Sequence, residues 1–414
     1  MLEFLTLKPE AFGLDISDLS LKIIKLKRKG KFLTLSSFLE EDIGQGIIKE
    51  GEIKDEESLV KIVKESLLKI KGEKLWTKRV VASLPEEKAF LQVIQLPRMP
   101  EEDLKSAVIY EAENYIPLPI EEVYLDSQIV PPLYNHSDHF DVLIAALPKK
   151  IVDPYLSCLK KAGLLPQALE IESLAIARAL IKKEISPFPT LLIDFGATKT
   201  SFIIFSGYSV RFTNSIPVSS HGLTEVISKT MKVDFKKAEE LKIKYGLDIV
   251  EKIIFSKKSK DSRVDGLRSS PPFTAARVGD GSKDSSSPFA NAGVFEKEIT
   301  GNKKIFETLI PALTDLTEQI KKCLDFYRTH ASPDNFLPER EDVKKIFISG
   351  GGANLKGLSD FLSSGLEIPV VLGNPWINIL PEPLKDVPEL PFEESLKYTT
   401  ALGLALRGIR TNSR

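Results

Sequence analysis

The sequence has 414 residues, 42% of them hydrophobic and 28% charged, and a formal net charge of -1. That length calls for two or more domains, and the near-neutral balance gives no electrostatic reason to expect a nucleic-acid ligand. Two cysteines, Cys158 and Cys323, exclude a disulfide framework and suggest a reducing compartment. No apolar run reaches the ~20 residues of a membrane helix, and Met1 to Lys8 lacks the basic start and apolar core of a secretory signal. A cytoplasmic chain is expected.

In chain order, Ala11–Ile16, Leu21–Lys27 and Phe32–Phe38 read as three short strands, with Lys29-Gly30 as a turn. Apolar residues at Leu59, Ile62, Val63, Leu67 and Ile70 then follow helical spacing behind Asp55, a suitable N-cap. Val80–Leu84 is the next strand. A module over 85–165 follows, with strands at Ala89–Leu96, Val123–Val130 and Phe140–Leu147. Its helices are Pro100–Tyr115 and Val152–Ala162, and the second stops at Gly163. A helix opening at Glu172 leads into a second run of strands, Thr190–Asp194, Ser201–Phe205 and Ser209–Ile216. Helices His221–Met231 and Phe235–Tyr245 come next, then a long amphipathic helix around Phe306–Tyr327 and the strand Lys345–Ser349. Between them, 256–302 is rich in Ser, Lys, Asp, Gly and Pro without periodicity, and reads as a disordered insertion.

The strand–strand–strand–helix order therefore occurs twice, which predicts an α/β protein with two duplicated lobes and a cleft between them. The expected division is a first lobe over 1–84 with 166–189 as connecting helix, an inserted α+β subdomain over 85–165, and a second lobe over 190–255 and 303–414. Each copy begins with an apolar strand, one Asp, a small polar turn and a second strand. Asp15, Ser17, Asp18, Ser20 and Lys22 stand in the first, and Asp194, Gly196, Ala197, Thr198, Lys199 and Thr200 in the second. Such a hairpin offers N–H groups and hydroxyls to a phosphate while its Asp reaches a hydrated cation. An Asp-x-Gly turn by itself is also an ordinary hairpin. Gly350-Gly351-Gly352-Ala353-Asn354 ends a strand and is read as opening a helix capped by Asn354, leaving room for a ribose or base against backbone. Glu172 in a first helical turn is a dipole-stabilising residue or an orienting group for water. Glu239 and Lys242, three apart, form a surface ion pair or bracket a ribose and base. His136 and His139 read as a loop pair, not a metal site, and both cysteines as buried.

This order of strand–Asp–turn–strand, Glu-x-x-Ala-x-Ala, a second strand–Asp–turn–strand, Ala-Glu-x-x-Lys and Gly-Gly-Gly resembles the actin-like ATPase superfamily. Within it the stretch Leu96-Pro97-Arg98-Met99-Pro100-Glu101-Glu102-Asp103-Leu104, continuing through Glu111 to Val123, resembles the FtsA-related PilM family of type IV pilus assembly. The resemblance implies the actin-like fold with ATP and Mg²⁺ between the lobes. It makes Asp15–Lys22 and Asp194–Thr200 phosphate loops, with Asp15 and Asp194 reaching Mg²⁺ through water. Glu172 becomes the residue acting on water, Glu239 and Lys242 adenosine contacts, and Gly350, Gly351, Gly352 and Asn354 the adenosine loop. Tyr398–Ala405 resembles the second connecting helix.

It further implies a scaffold at the cytoplasmic face of the inner membrane that receives the N-terminal tail of a PilN-like membrane protein beside the inserted subdomain. Membrane contact would run only through partners, and there is room for pilus motor ATPases and for homo-oligomers. Where the family usually has Gly then Ser, this chain has Ser17 and Asp18. The lost glycine freedom and added charge predict weak ATP binding, with weak ATPase activity at most. Asp18 either joins the Mg²⁺ shell or repels phosphate. The rival from another class is an FtsA-like division filament protein, which needs a basic amphipathic membrane segment that the last residues do not offer. A small-molecule kinase on the same fold would need an acceptor-binding Asp constellation that is not evident.

Overall fold

The computed structural model describes residues 10–30, 32–131, 139–247, 292–330, 342–381 and 388–410. Strands β1 (Phe12–Ile16), β2 (Ser20–Lys29) and β3 (Phe32–Asp42) form a meander, followed by a two-residue-per-strand hairpin, β4 (Ile48–Lys49) and β5 (Glu52–Ile53). Helix α1 (Glu56–Ser66) starts where Asp55 accepts the Ser58 N–H at 3.0 Å, as its sequence predicts. Strand β6 (Lys71–Gly72) lies along the edge of β3, and β7 (Arg79–Leu84) runs parallel to β1.

The chain then leaves this sheet. Strand β8 (Phe90–Pro97), helix α2 (Glu101–Ala112), β9 (Val123–Val130) and β10 (His139–Pro148) make a separate antiparallel sheet in the order β8-β10-β9. Its own core includes Ile94, Val108, Val142 and Ile144. Helix α3 (Lys149–Lys161) packs back on the first core through Tyr155 and Cys158, and Gly163, at φ +84°, ends it. Strand β11 (Leu165–Ile171) completes the first sheet, whose order is β11-β7-β1-β2-β3-β6, and leads into α4 (Glu172–Leu180).

The second sheet repeats the arrangement. Strands β12 (Ser186–Phe195), β13 (Thr200–Gly207) and β14 (Ser209–Ile216) form the meander, and helices α5 (Ser220–Met231), α6 (Phe235–Tyr245) and α7 (Ala292–His330) follow. Strand β15 (Lys345–Ser349), helix α8 (Leu358–Leu366) and β16 (Val370–Leu372) complete the order β14-β13-β12-β15-β16. In both sheets the Asp-bearing strand has an antiparallel neighbour after it in sequence and a parallel neighbour on its other side. The segment expected to lack structure through 302 differs at its end, where the helix already begins at Ala292. The rest of that segment, and His136, lie outside the described residues.

After a short helix, α9 (Phe392–Ser395), helix α10 (Thr399–Arg410) passes between the lobes. Its closest contacts are made backbone to backbone. A Cβ on Gly403 would meet the Ala175 carbonyl of α4 at 1.9 Å, and one on Gly13 would meet the Ala401 carbonyl at 2.3 Å. No side chain fits at either place, so two helices and a strand cross at a separation only glycine allows. Both cysteines are buried, and burial pushes each thiol up to about 12.

Candidate functional site

The two Asp-bearing hairpins face one cleft of about 560 Å³. Of the residues expected to hold nucleotide, cation or water, all but Asp18, Thr200 and Asn354 line it: Asp15, Ser17, Ser20, Lys22, Glu172, Asp194, Gly196 to Lys199, Glu239, Lys242 and Gly350 to Gly352.

The first turn is tied to itself. Ser17 donates its N–H (2.9 Å) and its hydroxyl (3.0 Å) to the Ser20 carbonyl, and Lys22 Nζ donates to Ser20 Oγ at 2.5 Å. Ser17 does not adopt a left-handed φ, so the expected penalty for a missing glycine does not arise. Asp18 points out of the cleft. Its two carboxylate oxygens accept the backbone N–H groups of Glu50 and Gly51, both at 3.0 Å, in the turn of the β4–β5 hairpin. The expectation that Asp18 faces a polyphosphate or its cation is thereby corrected: two amides hold it elsewhere. Tyr155 fixes the same turn by donating to the Gly51 carbonyl at 3.0 Å.

The second turn is built differently. Gly196 N–H donates to the Lys199 carbonyl at 3.0 Å, and a Cβ on Gly196 would approach that oxygen to 2.9 Å, so tight closure and not a left-handed φ requires glycine here. The start of α5 is stitched to the turn by Ser220 N–H to Gly196 O and His221 N–H to Ala197 O, both 3.0 Å. Thr200 is not a cleft hydroxyl: it is fully buried and donates to the Val218 carbonyl at 2.6 Å. Gly350 has φ +85°, and its Cβ would sit 2.5 Å from the Phe195 carbonyl. The glycine run makes a single 3₁₀ turn, Gly351–Asn354, and α8 opens only at Leu358. Asn354 therefore caps no helix. Its side-chain N–H reaches the Glu393 carbonyl at 2.8 Å instead.

Charge concentrates at the centre. Lys199 Nζ lies 2.8 Å from Glu172 Oε2 and also bonds Glu87, from the 3₁₀ turn Glu86–Lys88 between β7 and β8. Burial works to lower the Lys199 ammonium, but the Glu172 and Glu87 carboxylates outweigh it and its pKa is raised. Burial pushes Glu172 up to about 8, helped by Glu87 and Asp15 and opposed by Lys199. These two shifts compete, since a proton on Glu172 removes part of what raises Lys199. With Glu87 and Asp15 also beside it, Glu172 stays raised. Asp194 is pushed up to about 6 by burial and by Asp15, and Asp15 is raised by its own burial against the pull of Lys22. Glu86, buried, accepts the Ser173 N–H at 3.2 Å, which sets the first turn of α4. On α6, Lys242 Nζ bonds Glu239 (2.8 Å), Thr224 Oγ1 (2.7 Å) and Ser220 Oγ (2.8 Å), and burial lowers its pKa.

Sequence reading missed Glu87, His221, Phe235, Glu40, Lys397 and Thr400. The last five line the cleft from distant segments, and Lys397 pairs with Glu40 across it. Only Glu86-Glu87 carried a visible signal, two acids in a turn directly after a strand. A second cavity, of about 400 Å³, lies between β9 and β10 on one side and α4 and the β13–β14 turn on the other. Leu174, Ala177, Phe205, Val210 and Leu143 line it, with Arg178 and Arg407 holding the buried Glu170 carboxylate at 2.6 and 2.9 Å.

A family model described as type IV pilus assembly protein PilM matches residues 13–251, more than half of the chain. The chain belongs to the PilM family. A model for the cell division protein FtsA also matches, over 191–403. A solved PilM-PilN type IV pilus biogenesis complex superposes on this PilM-family chain with a TM-score of 0.69 and 25% identity, covering 97% of this chain and 99% of that one. MreB5 of Spiroplasma citri bound to ADP superposes with a TM-score of 0.50 at 13% identity over 98% of each chain, a likeness of fold alone. Among curated sequences, FtsA of Enterococcus hirae is 31% identical over 99 residues, 24% of this chain and 22% of that protein. FtsA of Pseudomonas aeruginosa is 21% identical over 256 residues, 62% of this chain and 51% of that protein. These matches span about a fifth to a half of the relatives' own lengths. The fold is the actin-like one, and the chain is an FtsA-related member of the type IV pilus assembly family. No helix among the described residues is long and apolar enough to cross a membrane.

Proposed function

We propose that this PilM-family chain binds ATP with Mg²⁺ between its lobes and uses the bound nucleotide to set its grip on a partner of the pilus assembly platform. The observation that carries the reading is the convergence of Asp15 and Asp194, from duplicated hairpins, on one cleft that also holds Lys22, Lys199 and the glycine run. The residues fit the group. Asp15 and Asp194 face one cleft and stay raised above their ordinary range despite the pull of Lys22 and Lys199, so a hydrated divalent cation between them would be stabilising, and oxygen donors suit Mg²⁺. The Gly196 turn and Gly350–Gly352 would take phosphates and nucleoside against backbone. Glu239 and Lys242 would take the ribose and base, with Lys199 on the phosphate chain. When bound, the cation neutralises phosphate charge and lets both lobes share one ligand.

Glu172 is the residue placed to orient water. In this arrangement its Oε2 already accepts from Lys199 at 2.8 Å, and burial favours its protonated form near neutral pH. Slow turnover at most follows, since a general base must be free and ionised.

The partner is the N-terminal cytoplasmic tail of a PilN-like inner-membrane protein, lying in the groove beside β9 and β10 at the cytoplasmic face of the membrane. The solved relative that supports this is itself a PilM-PilN complex. Helix α4 offers the coupling: it begins at Glu172 in the nucleotide cleft and presents Leu174, Ala177 and Arg178 to the groove within nine residues. Calorimetry with a PilN-tail peptide tests it, the expected result being tighter peptide binding with ATP·Mg²⁺ than without. Absence of peptide binding in both conditions rules the reading out.

A further inference from the structure

One stretch of the first lobe departs from the near-neutral balance of the whole chain. Residues 61–79 carry seven basic side chains (Lys61, Lys64, Lys69, Lys71, Lys74, Lys78 and Arg79) against two acidic ones, Glu65 and Glu73. All six lysines are exposed. The same stretch holds the two most exposed large apolar side chains among the described residues, Leu68 at 87% and Trp76 at 85%. Neither cavity described above includes any of these residues.

They follow one another along the outside of the first lobe, from helix α1 along the β6 edge to the start of β7. Helix α1 buries Leu59, Val60, Val63 and Ser66. Lys61 and Lys64 therefore follow at i and i+3 on its solvent side, and Leu68 stands exposed in the turn just past its end. The chain next forms β6, the edge strand, where Lys71 pairs with Phe38 in register and holds its Nζ 5.8 Å from the Phe38 ring. Beyond it Lys74 sits 4.7 Å over the Trp76 ring, which keeps a cation and an aromatic surface together in solvent. The nearby acids are engaged: Glu73 bonds Lys27 and Ser36, and Glu41 pairs with Lys69 at 2.7 Å. Lys64, Lys71, Lys74 and Lys78 have no acidic partner among the described residues.

Lysines at a sheet edge alone are accounted for by protection against edge-to-edge pairing. That purpose does not call for a tryptophan almost wholly in water. A protein-docking face would be poor in lysine and contiguous in apolar surface. A nucleic-acid surface would place its cations along a groove with bases stacked on rings, whereas this face is a helix exterior running into a sheet edge. Lysines around singly projecting Trp and Leu side chains match an anionic bilayer surface. There each lysine gains from the surface potential and tryptophan settles at headgroup depth.

We infer that the 61–78 face docks directly on an anionic phospholipid surface, with Trp76 inserted among the headgroups. This goes beyond the reading above, in which a partner alone connects the chain to the membrane, and it does not depend on nucleotide or peptide binding.

The test uses the full chain with vesicles of phosphatidylcholine alone or with about one-third phosphatidylglycerol. The sequence has two tryptophans and Trp376 is 4% exposed, so emission changes on binding report on Trp76. Expected are co-sedimentation with anionic vesicles only, release by salt, and a blue shift of emission with quenching by brominated acyl chains. The triple variant K71E/K74E/K78E should bind roughly tenfold more weakly or worse. Trp76→Ala should abolish the blue shift, and unchanged far-ultraviolet circular dichroism and melting in both variants show that the fold is intact. No binding to anionic vesicles, equal binding to neutral ones, or full retention by the triple variant overturns the inference. So does binding of a DNA duplex through the same lysines without any lipid quenching of Trp76.

Discussion

The two Asp-bearing turns share strand order and register but handle their polar groups in opposite ways. In the first, Ser17, Ser20 and Lys22 satisfy one another, and Asp18 is spent on the amides of Glu50 and Gly51. In the second, backbone hydrogen bonds alone close the turn, Thr198 lines the cleft, and Lys199 reaches across to carboxylates of the other lobe. A duplicated motif can thus keep its geometry while its polar groups find their partners in different places, within the turn in one copy and on distant elements in the other. Buried polar groups demand partners, and each copy finds them in its own way.

Lys199 should show the largest effect. Lys199→Ala removes the ammonium among Glu172, Glu87 and Asp15. It is expected to cost on the order of 3 kcal/mol of stability and to reduce ATP affinity roughly a hundredfold, about 2.7 kcal/mol. Thermal melting and calorimetry check both, and a variant with ordinary affinity would break the contrast between the turns. Gly196→Ala comes next, because its Cβ would press the Lys199 carbonyl at 2.9 Å. It should weaken ATP at least tenfold, about 1.4 kcal/mol, while Ser17→Gly, at a position with ordinary φ, should change affinity less than about threefold.

Asp18→Ser sharpens the comparison from the other side. It leaves the Glu50 and Gly51 amides without acceptors and should cost about 1–2 kcal/mol in chemical denaturation, with ATP affinity unchanged. A marked gain in affinity would restore the picture of Asp18 repelling phosphate.

A further test of the comparison is in pH dependence. Glu172 is raised from 4.5 to about 8 and Asp194 from 3.8 to about 6 in the folded chain. The folded state therefore binds these protons more tightly than the unfolded chain does. Their contribution to stability is present at low pH and is lost as pH rises through about 6 and then about 8. Melting of the nucleotide-free protein should decline over that range, and Glu172→Gln should remove the upper part of the decline. A melting curve that rises there would contradict the upward shift at Glu172.

Much of the fold was legible because its signals are local and periodic. The two meanders, the Asp55 cap and the Gly163 stop follow from residues within a few positions of one another. The same holds for the cleft turns, whose Asp15, Asp194 and glycines announce themselves within one hairpin. What escaped depends on distant partners. Asp18 is decided by amides 32 and 33 residues away, and Thr200 by the Val218 carbonyl that the β13–β14 pairing brings near. Asn354 resembled a cap because it follows glycines near a helix, but Gly357, at φ +74°, sets the start of α8. Hydrogen-bond partners at long separation leave no spacing pattern to read.

The crossing of α4 and α10 has a mechanical consequence. With the Gly403 position pressed on the Ala175 carbonyl, the helices can come no closer, and Arg178, which bonds both Glu170 and the Gly403 carbonyl, resists their separation. What remains is rotation about a fixed point. The pair works as a fulcrum, so tilting one lobe by a few degrees leaves the pivot in place and moves the parts of the cleft farthest from it most, because displacement grows with distance from the axis. A larger residue at 403 would raise the fulcrum and hold the jaws at a different angle before any ligand arrives.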